Sequence, residues 1–215
     1  VSGVTTAGAA AWPRGADIAG GPDAVRDVSY ERLPQLVAAK LVRPLDGFFE
    51  WTQLEPVLVD AVRVNGRVYG IPLGGASPVL YYNRELVLDP PASWDDIARL
   101  GESLATKGVA ALAMATIHPF HMGMFPESRD VRLLVPDSTQ TRLGTADAGR
   151  VFDAMQDALR LAGAPAGRSD EEAVSLLCDR RAALLIDGPW AFPTLSKALG
   201  DALGVAVLPT WGSPP

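Results

Sequence analysis

The chain has 215 residues, 48% of them hydrophobic and 20% charged, with a formal net charge of −6. That balance is globular, and it disfavours nucleic acid, an anionic membrane surface and polyanionic ligands as partners. The single cysteine, Cys178, excludes an internal disulfide and a multi-cysteine metal site, and no apolar run approaches the ~20 residues that cross a bilayer. The amino terminus also lacks a signal peptide's charged-then-apolar plan, so an exported protein of this sequence would have lost its signal.

Residues 1–15 are small and polar without usable period and are left unassigned. A Gly-Gly-Pro-Asp turn then precedes a short strand over 24–28, and Ser29 stands where it can cap a helix to about residue 41, with Pro34 uncomfortably deep inside it. After the aromatic cluster Phe48, Phe49 and Trp51 comes a hairpin centred on Asn65-Gly66, because both central positions of a two-residue turn need positive φ. The glycine-rich stretch 71–78 leads into an apolar strand ending at Asn83; from their residues alone, Gly74, Gly75 and Ala76 read as an ordinary flexible loop.

Ser93 lies three residues before Asp96, an acidic capping box that opens a helix to 107 with a Gly108 stop. A small-residue strand over 110–115 follows, and just beyond it stand His118, Pro119, Phe120 and His121. Residues 129–143 read as a hairpin or surface loop. Thr145 caps a helix whose Phe152, Met155, Leu159 and Ala162 share one face, and Ser169 with Glu172 forms a full capping box for a short helix ending near Cys178.

The chain is organised around residues 182–192, AALLIDGPWAF. Five small or apolar residues, 182–186, make the unbroken run of a strand buried on both faces. Asp187 and Gly188 then turn, Pro189 presets the first helical residue, and a helix runs on to Leu199 and the stop at Gly200. Trp190 stands at the corner of this strand–turn–helix. At the carboxyl end of a strand in an open sheet, its flat face reads either as a core anchor or as a platform for the C–H side of a sugar ring. A last strand is expected over 204–208, and 209–215 as an unanchored exit.

The segment 176–192, LLCDRRAALLIDGPWAF, resembles the extracytoplasmic solute-binding proteins of sugar ABC transporters, closest to the maltose-binding protein and its relatives. Their "G-x-x-A-M-x-I-x-G-P-W" segment forms a strand and the following helix, and its tryptophan stacks on the sugar. The order of other pieces is similar too: a G-P-D turn, the P-L-D exit at 44–46, the N-G hairpin, the Y-N-R at 82–84 and the P-P-A-S-W-D-D helix start at 90–96. The resemblance spans about 21–208. It implies an α/β, periplasmic-binding-protein-like two-lobe fold with open, mostly parallel sheets flanked by helices. Residues 1–76 would be an incomplete first lobe and 77–208 a second, with the hinge near 74–80. The family's opening strand–helix–strand and its closing crossover and helices are expected to be missing.

Carried over position by position, the resemblance implies ligand contacts from Trp190 and Phe120, with His118 in place of an acid and His121 in place of a second aromatic. Asp27, Tyr30 and Glu31 would stand where relatives carry an aromatic and charged trio, and Ala76 where they carry a cleft acid. Trp94 would be structural.

Other chemistry finds little support in the residues. His118 and His121 have no nearby cysteine and no third ligand of obvious spacing, so they read as polar pocket residues rather than a zinc site. No Gly-x-Ser-x-Gly turn and no phosphate loop occurs, and the acidic pairs at 95–96 and 171–172 sit where helix amino termini attract acids. The expectation is a non-catalytic, cofactor-free and monomeric carbohydrate-binding subunit of an ABC importer. It would hold maltose or maltooligosaccharide-like ligands between two lobes and work with permease subunits. Its place would be periplasmic or extracellular, held at the membrane by the transporter or a lipid anchor. The rivals are a glycoside-active enzyme, and the same fold reused for sensing or protein contact.

Overall fold

The computed structural model describes residues 3–4, 24–116, 121, 142–165 and 168–211. These fall into two compact units that part between Gly75 and Ala76.

In the first unit β1 (Gly3–Val4) pairs in parallel with β2 (Ala24–Val25). The strand expected to reach residue 28 stops early, because Asp27 takes a positive φ of 59° that no continuing strand tolerates. The helix expected over 29–41 forms as two pieces, a 3-10 turn (Tyr30–Arg32) and α1 (Leu33–Ala38). The break resolves the proline problem, since restarting at Leu33 puts Pro34 in a first turn, where its missing N–H costs nothing. Ser29 occupies the cap position but makes no capping hydrogen bond through its side chain.

Further on, α2 (Pro56–Ala61) leads into the hairpin of β3 (Arg63–Val64) and β4 (Arg67–Val68). Asn65 and Gly66 both take positive φ, 50° and 76°, as the turn demands. Asp46 fastens this hairpin: its carboxylate accepts from the Val68 N–H at 3.0 Å and from Arg67 Nε at 3.0 Å. The Val68 amide, helped by Arg67, holds that carboxyl below its ordinary pKa.

The second unit is built on one open, mixed sheet in the order β6-β7-β5-β8: β5 (Val79–Asn83), β6 (Ala110–Met114), β7 (Ala182–Asp187) and β8 (Leu203–Ala206). β7 is internal, parallel to β6 and antiparallel to β5, which in turn pairs antiparallel with β8. Every residue of β7 is buried. Its alternation feeds two cores. Leu184 and Ile186 join Leu80, Tyr82, Leu112 and Met114 under α3 (Trp94–Ala105) and α4 (Ala146–Leu161). Leu185 joins Tyr81 and Ala113 under α5 (Asp170–Cys178) and α6 (Phe192–Leu199). A strand with helices on both faces has no polar side to offer, which is why its sequence shows no alternation. Each buried leucine or isoleucine contributes ~1.5–3 kcal/mol of transfer free energy.

The local signals at the helix starts are realised. Ser93 with Asp96 and Ser169 with Glu172 form reciprocal capping boxes, and Thr145 accepts from the Ala148 N–H. The expected exit at 209–215 needs correction, since its described part is docked. Thr210 exchanges hydrogen bonds with Ala92 and Trp94 through the backbone, and Trp211 stacks on Trp94 with ring centres 5.2 Å apart. Burial of two indole faces outweighs the absence of regular structure there.

Candidate ligand-binding site

The sheet register brings three chain segments to one edge. β7 ends at Asp187, which stands opposite Val79 at the start of β5, and Met114 at the end of β6 stands opposite Ile186. The corner Asp187-Gly188-Pro189-Trp190, the residues leading into β5 from Ala76, and Ala115 and Thr116 just beyond β6 therefore share the carboxyl edge of the β6–β7 pair. This is where open sheets hold ligands.

At this edge Trp190 lies in a 3-10 turn (Pro189–Ala191) ahead of α6 and is 50% exposed. Its ring lies against Gly188 so closely that a Cβ there would fall on the indole atoms. Gly188 has φ −81° and ψ 175°, open to any residue, so the space taken by Trp190, and not the backbone, is what requires glycine. The turn is fixed from below. Tyr81 Oη donates to the Gly188 carbonyl at 3.1 Å, and the Gly188 N–H donates to Asp187 Oδ1 at 2.6 Å. Burial, and then the charge of Asp187, push the Tyr81 phenol above its ordinary pKa, so it remains a donor.

Asp187 is itself 1% exposed and meets His121, which is fully enclosed. His121 Nε2 lies 3.3 Å from Asp187 Oδ1, while its Nδ1 lies 3.5 Å from Asp170 Oδ1 on the first turn of α5. His121 thus braces the corner from inside rather than presenting at its surface. Asp170 and Asp187 as its partners escaped the sequence reading, which gave Asp170 no role and took Asp187 for a turn residue.

The other candidates are placed as follows. Ala76 is exposed, two residues ahead of the Pro78-Val79 start of β5. Asp27, Tyr30 and Glu31 are exposed in the first unit, where Asp27 pairs with Arg26 at 3.0 Å. His118 and Phe120 lie outside the described residues, as does most of the loop expected over 129–143. A cavity of about 330 Å³ opens instead at the amino ends of β6 and β7, between Gly108, Ala110, Ala162 and Arg181. Its lining has no aromatic residue among the described residues, which therefore give it no flat face for a sugar ring.

A mixed sheet sandwiched by helices, with an aromatic corner at the carboxyl edge, defines an α/β ligand-binding class. Residues 14–215 match the model of the bacterial extracellular solute-binding proteins, and the chain belongs to that family. It is 24% identical over 213 residues to a binding protein of Brucella abortus, covering 90% of this chain and 51% of that protein. It is 20% identical over 185 residues to the maltotriose-binding protein of Pyrococcus abyssi, covering 84% and 40%. A maltooligosaccharide ABC transporter solute-binding lipoprotein of Streptococcus pneumoniae is 28% identical over 161 residues, covering 68% and 37%. The chain thus spans about half, or less, of the length of these curated relatives. No helix of the described residues is long and apolar enough to cross a membrane.

Proposed function

We propose that the chain belongs to the carbohydrate-binding subunit of an ABC importer and takes maltooligosaccharide-like sugars at the Trp190 corner, without catalysis. One observation carries the reading: a half-exposed indole at the carboxyl edge of an internal strand, held by Gly188, Asp187 and Tyr81. A ring held in place before the ligand arrives loses little freedom on binding, and its apolar face suits the C–H side of a pyranose. The names of the relatives from P. abyssi and S. pneumoniae support the choice of ligand class. In this reading Phe120 and His118 are further ligand contacts, as is Ala76 at the edge that carries Trp190. Asp27, Tyr30 and Glu31 serve the sugar from the first lobe, the chain between 74 and 80 is the hinge, and the protein works outside the cytoplasmic membrane with permease subunits.

Titration of maltotriose against this chain, followed by tryptophan fluorescence, tests the proposal. A saturable change that disappears in Trp190→Ala is the expected result. Saturation unchanged in that variant removes Trp190 from the site, and no response to maltotriose or to longer maltodextrins removes the ligand class.

A further inference from the structure

We propose that His121, Asp170 and Asp187 form a site for one divalent metal ion of the zinc class. The three residues come from separate parts of the second unit: the chain beyond β6, the first turn of α5 and the end of β7. One nitrogen of the imidazole and one oxygen of each carboxylate lie within 4.8 Å of one another. An imidazole with two carboxylates is a borderline-hard donor set that suits zinc and its neighbours. Ligands held 2.0–2.2 Å from a tetrahedral zinc stand about 3.4 Å apart. The distance from His121 Nε2 to Asp187 Oδ1, 3.3 Å, is close to that spacing, whereas the 3.5 Å contact of Asp170 is with Nδ1, the ring nitrogen that the same ion does not use. The remaining closure falls to Asp170, whose side chain is 37% exposed and can rotate, while His121 and Asp187 are walled in.

The electrostatics point the same way. Two carboxylates face a single buried imidazole, one of them, Asp187, itself enclosed, and removing such a charge from water costs free energy unless it is compensated. Asp187 Oδ1 is served by the Gly188 N–H and faces His121. Asp170 Oδ1, by contrast, is a buried oxygen that accepts no hydrogen bond among the described residues, although it lies at ion-pair distance from His121. A divalent cation would satisfy that oxygen and neutralise the pair in one step. Three protein ligands leave a fourth position for water, and the ion would lock α5 to the corner that carries Trp190.

The test is calorimetric titration of Zn²⁺ into chelator-treated full chain, with a melting curve with and without Zn²⁺. One ion per chain and a raised melting temperature are expected. Asp170→Asn should weaken binding by at least about tenfold, the lower bound set by losing even an outer partner, and His121→Ala should abolish it. Asp170 is the half-exposed member and lies outside the core, so Asp170→Asn decides the matter even if His121→Ala does not fold. Absence of Zn²⁺ uptake by the unmodified chain, or equal affinity in Asp170→Asn, would overturn the site and leave the cluster a plain ion triad.

Discussion

The phenol of Tyr81 donates to the carbonyl of Gly188 at 3.1 Å, tying the middle of β5 to the turn that carries Trp190, 107 residues away in sequence. The bond is buried, so removing the donor strands an acceptor that water cannot easily reach. Tyr81→Phe keeps the ring packing under α5 and α6 and should cost ~1–3 kcal/mol in chemical denaturation. A loss indistinguishable from zero would mean the Gly188 carbonyl finds another donor.

Gly188→Ala addresses the corner from the other side. The backbone there suits alanine, so any response comes from the Trp190 ring, which the new methyl would displace. We expect a shift in tryptophan emission and weaker maltotriose binding, with the fold kept. Emission and binding equal to the parent chain would show that the ring is not seated on Gly188.

The hairpin of the first unit should be acid-sensitive through Asp46. Folding holds its carboxyl below the ordinary value, so its contribution is complete above the unfolded pKa of about 3.9 and is lost as pH falls through the folded value. Asp46→Asn should therefore lower the melting temperature at neutral pH, and the gap to the parent should close in acid, below about pH 4. A gap that stays constant down to pH 2 would assign the effect to something other than this charge.

Residues Gly74 to Ser77 are exposed and straddle the parting of the two units. If they are the hinge, their amides should exchange with solvent much faster than those of β5 and of the β3–β4 hairpin. Exchange as slow as in those strands would mean a packed connection and would remove the hinge from the proposed function.

Much of the fold was legible because its signals are local. Asn65-Gly66, the two capping boxes and the apolar run of β7 each act within a few residues, and their chemistry permits few alternatives. The split helix at residues 30–38 was half legible: Pro34 announced a conflict, but not that a 3-10 turn would absorb it. What escaped depends on tertiary contact. His121 and Asp187 lie 66 positions apart, and only the β6–β7 pairing brings their segments to one edge. Asp170 sits in the first turn of α5 beside the acids of the capping box, and nothing in its neighbourhood announces His121 as its partner. The docking of Thr210 and Trp211 on Ala92 and Trp94 was hidden for the same reason, since a two-residue bridge has no period to read.

The stacked indoles of Trp94 and Trp211 give the second unit a built-in optical reporter. Aromatic rings 5.2 Å apart and tilted by 21° couple their electronic transitions, so docking of the chain after β8 is written into the near-ultraviolet circular dichroism. During unfolding that signal separates two events that backbone probes merge: release of the tail from the start of α3, and melting of the sheet itself. Its disappearance ahead of the far-ultraviolet change would mark the tail as the first part of this unit to let go.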